Sequence, residues 1–288
     1  MVSLKAIINM KKPEIILVNH LFAELYSELI LLLRSLDSKQ WYYTTSSAKW
    51  NVKDIVAHLV DGDLRRISFQ RDKLIPPTPS GKIENSSDLV DYLNQLNSIW
   101  VEASRRLSPQ VLIELLEYTG KEIAKLFSAL DLNEEAIFSV GWAGEDKSEN
   151  WFDIAREYTE KWYHQQQIRE AVGARLLNDE KWLRPLIDTF VRGLPNIYQT
   201  VFPYKIDATV YLEVSDIPNC NWILKKNERW ELFVGSITEY TSKVVTNADT
   251  AWRMFSKNIS TEEARKRITV EGETELGLLI LDLTTFMK

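Results

Sequence analysis

From Pro13 to about Phe202 the apolar residues of this chain recur every three or four positions and scarcely alternate. From Asp207 onward short alternating runs take over. A period near 3.6 gathers side chains on one stripe of a helix, whereas a period of two gathers them on one face of a strand. The two textures follow one another rather than interleaving as βαβ units do. The chain is therefore expected to be α+β: an N-terminal bundle of four main helices with extras, then a small C-terminal α+β domain. In residues, the expectation is a bundle over 1–180, a helical connector over 181–206 and the α+β domain over 207–288.

The punctuation supports this reading. A first helix is expected from Pro13 to about Leu36. A second starts at Asn51, an N-cap with Asp54 three residues on, and runs to about Leu74 before Pro76, Pro77 and Pro79. A third covers about Ser87 to Leu107. Ser108-Pro109 opens a fourth as N-cap and first-turn proline, with Gly120 its weak point before about Leu130. A loop of roughly 20 residues follows, longer than compact domains usually leave unstructured. A fifth helix runs from about Trp151 to Val172 and ends at Gly173. The connector helix, about Lys181 to Tyr198, contains Pro185 and Pro195. Strands are expected at Ala208–Val214, Asn221–Lys226, Arg229–Val234, Lys243–Thr246 and Ile268–Val270, with a hairpin at Asn227-Glu228. Asp249 and Ser260 are read as caps of short helices, and Glu275–Phe286 as a final helix.

Composition narrows the function. With 45% hydrophobic and 26% charged residues the chain is globular rather than disordered or low in complexity. Thirty-five basic against forty-one acidic residues give a net charge of −6, and no basic stripe stands out, so nucleic-acid binding loses support. The single cysteine, Cys220, excludes an intrachain disulfide and fits a reducing compartment. The first residues lack a signal-peptide pattern. The apolar stretches Leu29–Leu33 and Leu276–Leu281 fall far short of the ~20 residues that span a bilayer. A cytoplasmic protein with no membrane or nucleic-acid partner is expected. Phosphate-cradling, dinucleotide-binding, nucleophile-elbow and paired-cysteine motifs are not found in the sequence.

Three histidines occur: His20, His58 and His164. Glu160 and His164 stand four apart on an expected helix and so share a face, which makes half of a bundle metal site. The same spacing also occurs in solvated surface pairs. His58 lies along another expected helix among Val52, Ile55 and Leu59, where a histidine needs a polar partner. Taken alone it reads more often as a satisfied core residue, and His20 has no companion. Gln167, one turn beyond His164, is a candidate for a cofactor-binding or ring-supporting amide, or else a surface glutamine. Asp54 reads as serving the helix start. For an anionic substrate the guanidinium candidates are Arg65, Arg66, Arg169 and Arg253. Trp162 and Tyr163 read as core or as pocket walls.

The stretch Trp50-Asn-Val-Lys-Asp54-Ile-Val-Ala-His58-Leu59 resembles the metal-binding second-helix motif of the DinB/YfiT-like superfamily. More closely, it resembles the mycothiol-dependent maleylpyruvate isomerase family, as do Asp249–Ser256 and Ile268–Glu273. The resemblance implies a DinB-like bundle and a divalent metal, zinc or else nickel, held by His58, Glu160 and His164. Glu160, where many DinB relatives carry histidine, favours the isomerase branch. The resemblance further implies a low-molecular-weight thiol, mycothiol or an analogue. The expected reaction is cis–trans isomerisation of, or thiol transfer to, a small electrophilic acid, with an arginine of the C-terminal domain assisting; Arg253 is the candidate. Two histidines and one carboxylate leave a tetrahedral position open, the arrangement of catalytic zinc. A hydrolase using metal-bound water, and a non-enzymatic binding or regulatory protein on the same scaffold, are the alternative readings.

Overall fold

The computed structural model describes residues 9–47, 49–77 and 86–285. They form two compact units. One, of residues 17–137 and 156–177, is a helical bundle. The other joins residues 9–16, 138–155 and 178–285 around a sheet. The grouping is not the linear one expected from the sequence. The long loop from Phe138 on, the first residues of the fifth helix and the supposed connector all group with the sheet.

In the bundle unit, α1 spans Phe22–Ser35, α2 Val52–Arg66, α3 Ser86–Ser104 and α4 Pro109–Ala129. Helix α5 spans Asn150–Val172, and its residues from Arg156 onward belong here. The starts of α2 and α4 are as expected. Asn51 and Asp54 form a reciprocal capping box, and Ser108 accepts a hydrogen bond from the Val111 amide with Pro109 in the first turn. Helix α5 ends before Gly173, which sits at φ 68°.

The first helix begins nine residues later than expected. Ile16 and Val18 are buried while Ile15 and Leu17 are exposed, a period of two that belongs to extended chain. Helix α2 continues past Arg66 as a π-helical turn over Ile67–Arg71 and stops short of Leu74. Pro79 lies outside the described residues.

One buried carboxylate ties four of these helices. Asp63 on α2 accepts hydrogen bonds from Tyr26 Oη of α1 at 2.6 Å and Thr119 Oγ1 of α4 at 2.8 Å. It also meets Lys161 Nζ of α5 at 2.6 Å. The side chains of Asp63 and Lys161 are 0% and 6% exposed, so this pair sits in the core. Lys161 gives a further hydrogen bond to the Leu59 carbonyl. Gly120 is not a weak point. A Cβ there would lie 2.6 Å from the Tyr26 ring, so its bareness lets α1 reach Asp63.

In the sheet unit, β1 (Asn9–Lys11), β2 (Thr209–Val214), β3 (Asn221–Lys226), β4 (Trp230–Ser236), β5 (Ser242–Thr246) and β6 (Thr269–Gly272) lie in the order β1-β4-β3-β2-β5-β6. The β2–β5 pair is parallel and the others antiparallel. Strand β1 had no alternating signal in the sequence. The connector is two helices, α6 (Glu180–Val191) and α7 (Leu194–Val201), broken at Arg192-Gly193. They are part of this core. Phe190 of α6 packs edge-on to Phe255 of α8 (Ala248–Phe255), and Tyr198 of α7 donates to the Leu276 carbonyl. The cap of α8 is Asn247 rather than Asp249, with its side chain accepting from the Thr250 amide. Ser260 caps α9 (Thr261–Lys266) as expected. The last helix is short, α10 (Thr274–Leu278), followed by a 3-10 turn over Leu279–Asp282; Phe286 lies outside the described residues. Cys220 is buried, and burial pushes its thiol up to about 12, which removes it as a nucleophile at neutral pH. Among the described residues no helix is long and apolar enough to cross a membrane.

Two substitutions probe the knot. Asp63→Asn strands the Lys161 ammonium in the core and is expected to cost about 3–5 kcal/mol in urea unfolding. Gly120→Ala gains ~1 kcal/mol of helix propensity but drives a methyl into Tyr26, an overpacking cost of about 1–3 kcal/mol. Its net effect in the same measurement is destabilising.

Candidate metal centre

The capping box at Asn51 fixes where α2 begins, and His58 follows two turns inside it. The pair Lys161–Asp63 and the bond from Lys161 to Leu59 then set how α5 lies along α2. That register brings Glu160 and His164, one turn apart on α5, opposite His58. Glu160 Oε1 is 3.0 Å from His164 Nε2 and 3.5 Å from His58 Nε2. Ligand atoms of the three residues all lie within 4.8 Å of one another. The two imidazoles meet edge to face at 4.8 Å, and Trp50 lies against His58 at 5.0 Å.

Burial dominates the electrostatics. It drives the His58 imidazolium pKa down to about 4, against the opposing pull of Glu160, so this ring is neutral at physiological pH. Burial also works to raise the Glu160 carboxyl, but His164 and His58 together outweigh it and hold it well below the ordinary carboxylate range. The cluster is thus a carboxylate faced by two imidazole edges. Lone pairs that converge this closely repel unless a proton or metal cation lies between them. One carboxylate oxygen and two imidazole nitrogens are donors that divalent zinc or nickel accepts, so the residues fit such an ion.

Gln167 accepts a hydrogen bond at 2.8 Å from His164 Nδ1. Its amide nitrogen lies 3.2 Å from both Tyr163 Oη and Ser46 Oγ. On the other ring, His58 Nδ1 is buried with no hydrogen-bond partner among the described residues. His20 is exposed on the 3-10 turn before α1 and is outside the cluster. Trp162 is core, its indole nitrogen donating to the Leu177 carbonyl.

The arginine candidates separate by what they already hold. Arg66 is buried against Glu157 at 3.2 Å, and Arg169 pairs with Glu28 at 2.9 Å. Arg65 pairs with Asp61 at 3.0 Å and also reaches Asn97. Arg253 lies on α8 of the sheet unit, bound to Asp249 and Asn258 and stacked on Trp252. The residues that sequence reasoning missed are Asp63, Lys161, Trp50 and Ser46. Trp50 alone carried a signal, through its place in the motif before His58.

A family model described as the mycothiol maleylpyruvate isomerase N-terminal domain matches residues 22–169, just over half of the chain. The chain belongs to this family. Its matched region contains His58, Glu160, His164 and Gln167. Among solved structures, the crystal structure of the mycothiol-dependent maleylpyruvate isomerase is similar at a TM-score of 0.53. A histidine-to-alanine mutant of that isomerase is similar at 0.50. Both are 12% identical, and each match covers 89% of this chain and 92% of the other. At that identity the likeness concerns the fold, and it confirms the α+β architecture. No curated protein sequence matches the chain.

The pair beside the isomerase-family cluster is testable by pH. Burial would raise Glu157, but Arg66, Arg156 and Lys161 hold it down to about 2. A lowered carboxyl stabilises the fold fully above its unfolded value near 4.5, and that contribution is lost as pH falls through the folded value. The shift is worth about 3 kcal/mol. In urea unfolding, wild type is expected to exceed Glu157→Gln by a few kcal/mol at pH 7, with the gap closing between about pH 4.5 and 2.

Proposed function

We propose that this protein is a metal-dependent enzyme that uses a low-molecular-weight thiol, mycothiol or an analogue, to isomerise a small electrophilic acid or to transfer the thiol sulfur to it. The observation that carries this reading is the convergence of His58, Glu160 and His164 inside the segment matched by the maleylpyruvate isomerase family model. A divalent metal held by these three would act as a Lewis acid and keep a thiol deprotonated at neutral pH.

The chain's own residues have definite parts in this. His58 binds as a neutral imidazole because burial has already removed its proton at physiological pH. Glu160 brings the one negative charge and needs no deprotonation. Gln167 holds the far side of the His164 ring. Trp50 packs against the His58 ring. Lys161 and Arg66, both close by in the core, are engaged by Asp63 and Glu157 and so do not compete for Glu160. Arg253 is proposed as the group that steadies the substrate acid, on the strength of the family resemblance.

Metal content of untagged protein, by mass spectrometry on wild type and His164→Ala, tests the first half. About one divalent ion per chain in wild type is expected, lost in the variant. Conversion of maleylpyruvate with and without mycothiol tests the second half, with thiol-dependent turnover expected. A wild type that neither carries nor takes up metal overturns the enzyme reading. Turnover that is indifferent to thiol favours water as the nucleophile instead.

A further inference from the structure

The two histidines of the cluster are held differently. His164 is fixed at both nitrogens: Nε2 faces Glu160 Oε1 at 3.0 Å, and Nδ1 meets Gln167 Oε1 at 2.8 Å. His58 is positioned by the packing of Trp50, and its Nδ1 is buried with no partner among the described residues. The Gln167 amide is itself oriented. Its nitrogen lies 3.2 Å from Tyr163 Oη on the same helix and 3.2 Å from Ser46 Oγ, on the segment that leads into α2. An amide nitrogen only donates, and each hydroxyl oxygen can accept, so this side of the amide is satisfied and the carbonyl is turned to His164. A carbonyl oxygen only accepts, so the nitrogen it faces must carry the proton.

We infer that Gln167 is a positioning residue that keeps His164 protonated at Nδ1, so that Nε2 is the nitrogen presented to Glu160 and His58, and that Ser46 and Tyr163 hold Gln167 in the orientation this requires. The inference rests on the metal reading above for its consequence, affinity, but not for its structural content. The Nδ1 proton belongs to His164 whether a proton or a metal sits at Nε2. Supporting hydrogen bonds of this kind change metal affinity by roughly 10–100-fold when removed.

With three histidines in the chain, long-range nitrogen–proton correlation spectra of the ¹⁵N-histidine-labelled protein are simple to assign against His20→Gln and His58→Gln. The spectra would be recorded on the metal-free and the zinc-loaded protein. Zinc affinity would be read by competition with a chromophoric chelator. The wild type is expected to show a His164 Nδ1 proton protected from water exchange in both states. Gln167→Leu is expected to lose that protection and to bind zinc roughly 10–100-fold more weakly. Gln167→Glu keeps an acceptor, so it should move the Nδ1 proton signal downfield and restore affinity to wild type or better. A merely structural glutamine would lower thermal stability in both variants without that split. Zinc on Nδ1 of His164, or an unmoved Nδ1 proton signal in Gln167→Glu, would overturn the assignment. So would Gln167→Leu with wild-type affinity. If wild type takes up no zinc, the proposed enzyme function fails on its own, and the metal-free spectra still decide the role of Gln167.

Discussion

The Asp63–Lys161 ion pair is the contact on which the bundle's geometry depends. Two charges withdrawn from water lose several kcal/mol of solvation each, and their attraction repays this only with good geometry and further hydrogen bonds. Asp63 has both. Its two oxygens collect the Lys161 ammonium and the hydroxyls of Tyr26 and Thr119, so α1, α4 and α5 are all referred to one point on α2. Apolar packing tolerates small slides of one helix along another. A buried pair at 2.6 Å does not, because any slide leaves a charge unpaired.

That intolerance fixes the convergence of His58, Glu160 and His164. Asp63 stands five residues after His58, and Lys161 stands directly between Glu160 and Trp162. Locking Asp63 to Lys161 therefore places Glu160 and His164 against His58, although none of these three contributes to the lock. Glu157 and Arg66 repeat the arrangement one turn away. Between Thr159 and Arg169, α5 buries many polar side chains beside apolar ones such as Trp162 and Ile168. Well-packed apolar side chains there would be at least as stable. Among the polar residues of α5, Lys161 holds register, His164 and Gln167 converge on the cluster, Gln166 accepts from the Leu177 amide and Arg169 pairs with Glu28.

The parts of this legible in sequence were those with local causes. Asn51 with Asp54 and Ser108 with Pro109 announce helix starts because a cap and its amide lie within one turn. Glu160 and His164 announce a shared face because four residues make about one turn. The alternation from Asp207 marks the sheet, whose outer face is half-solvated. What was not legible depends on partners far along the chain. Lys161 looks like a surface charge until Asp63, 98 positions earlier, lies beside it. Gly120 looks like a helix defect until the Tyr26 ring takes the space of its missing side chain. Helices α6 and α7 look like a connector in sequence because of Pro185 and Pro195, yet Pro185 lies within α6, Pro195 in the first turn of α7, and their apolar residues pack in the sheet unit's own core.

The charge arithmetic of the cluster explains why these neighbours are paired off. A divalent ion held by two imidazole nitrogens and one carboxylate would meet a single negative charge and keep one positive charge uncompensated. Had Lys161 or Arg66 been unpaired so close by, they would have competed for Glu160 and repelled the ion. Had Asp63 or Glu157 been unpaired, they would have neutralised the excess. Each instead cancels the other at 2.6 Å and 3.2 Å. An ion bound there would keep its residual positive charge for whatever completed its coordination, and an anion such as a thiolate or a carboxylate would be stabilised more than neutral water. A site built only to retain a metal gains from a fourth protein ligand, and among the described residues the cluster consists of His58, Glu160 and His164.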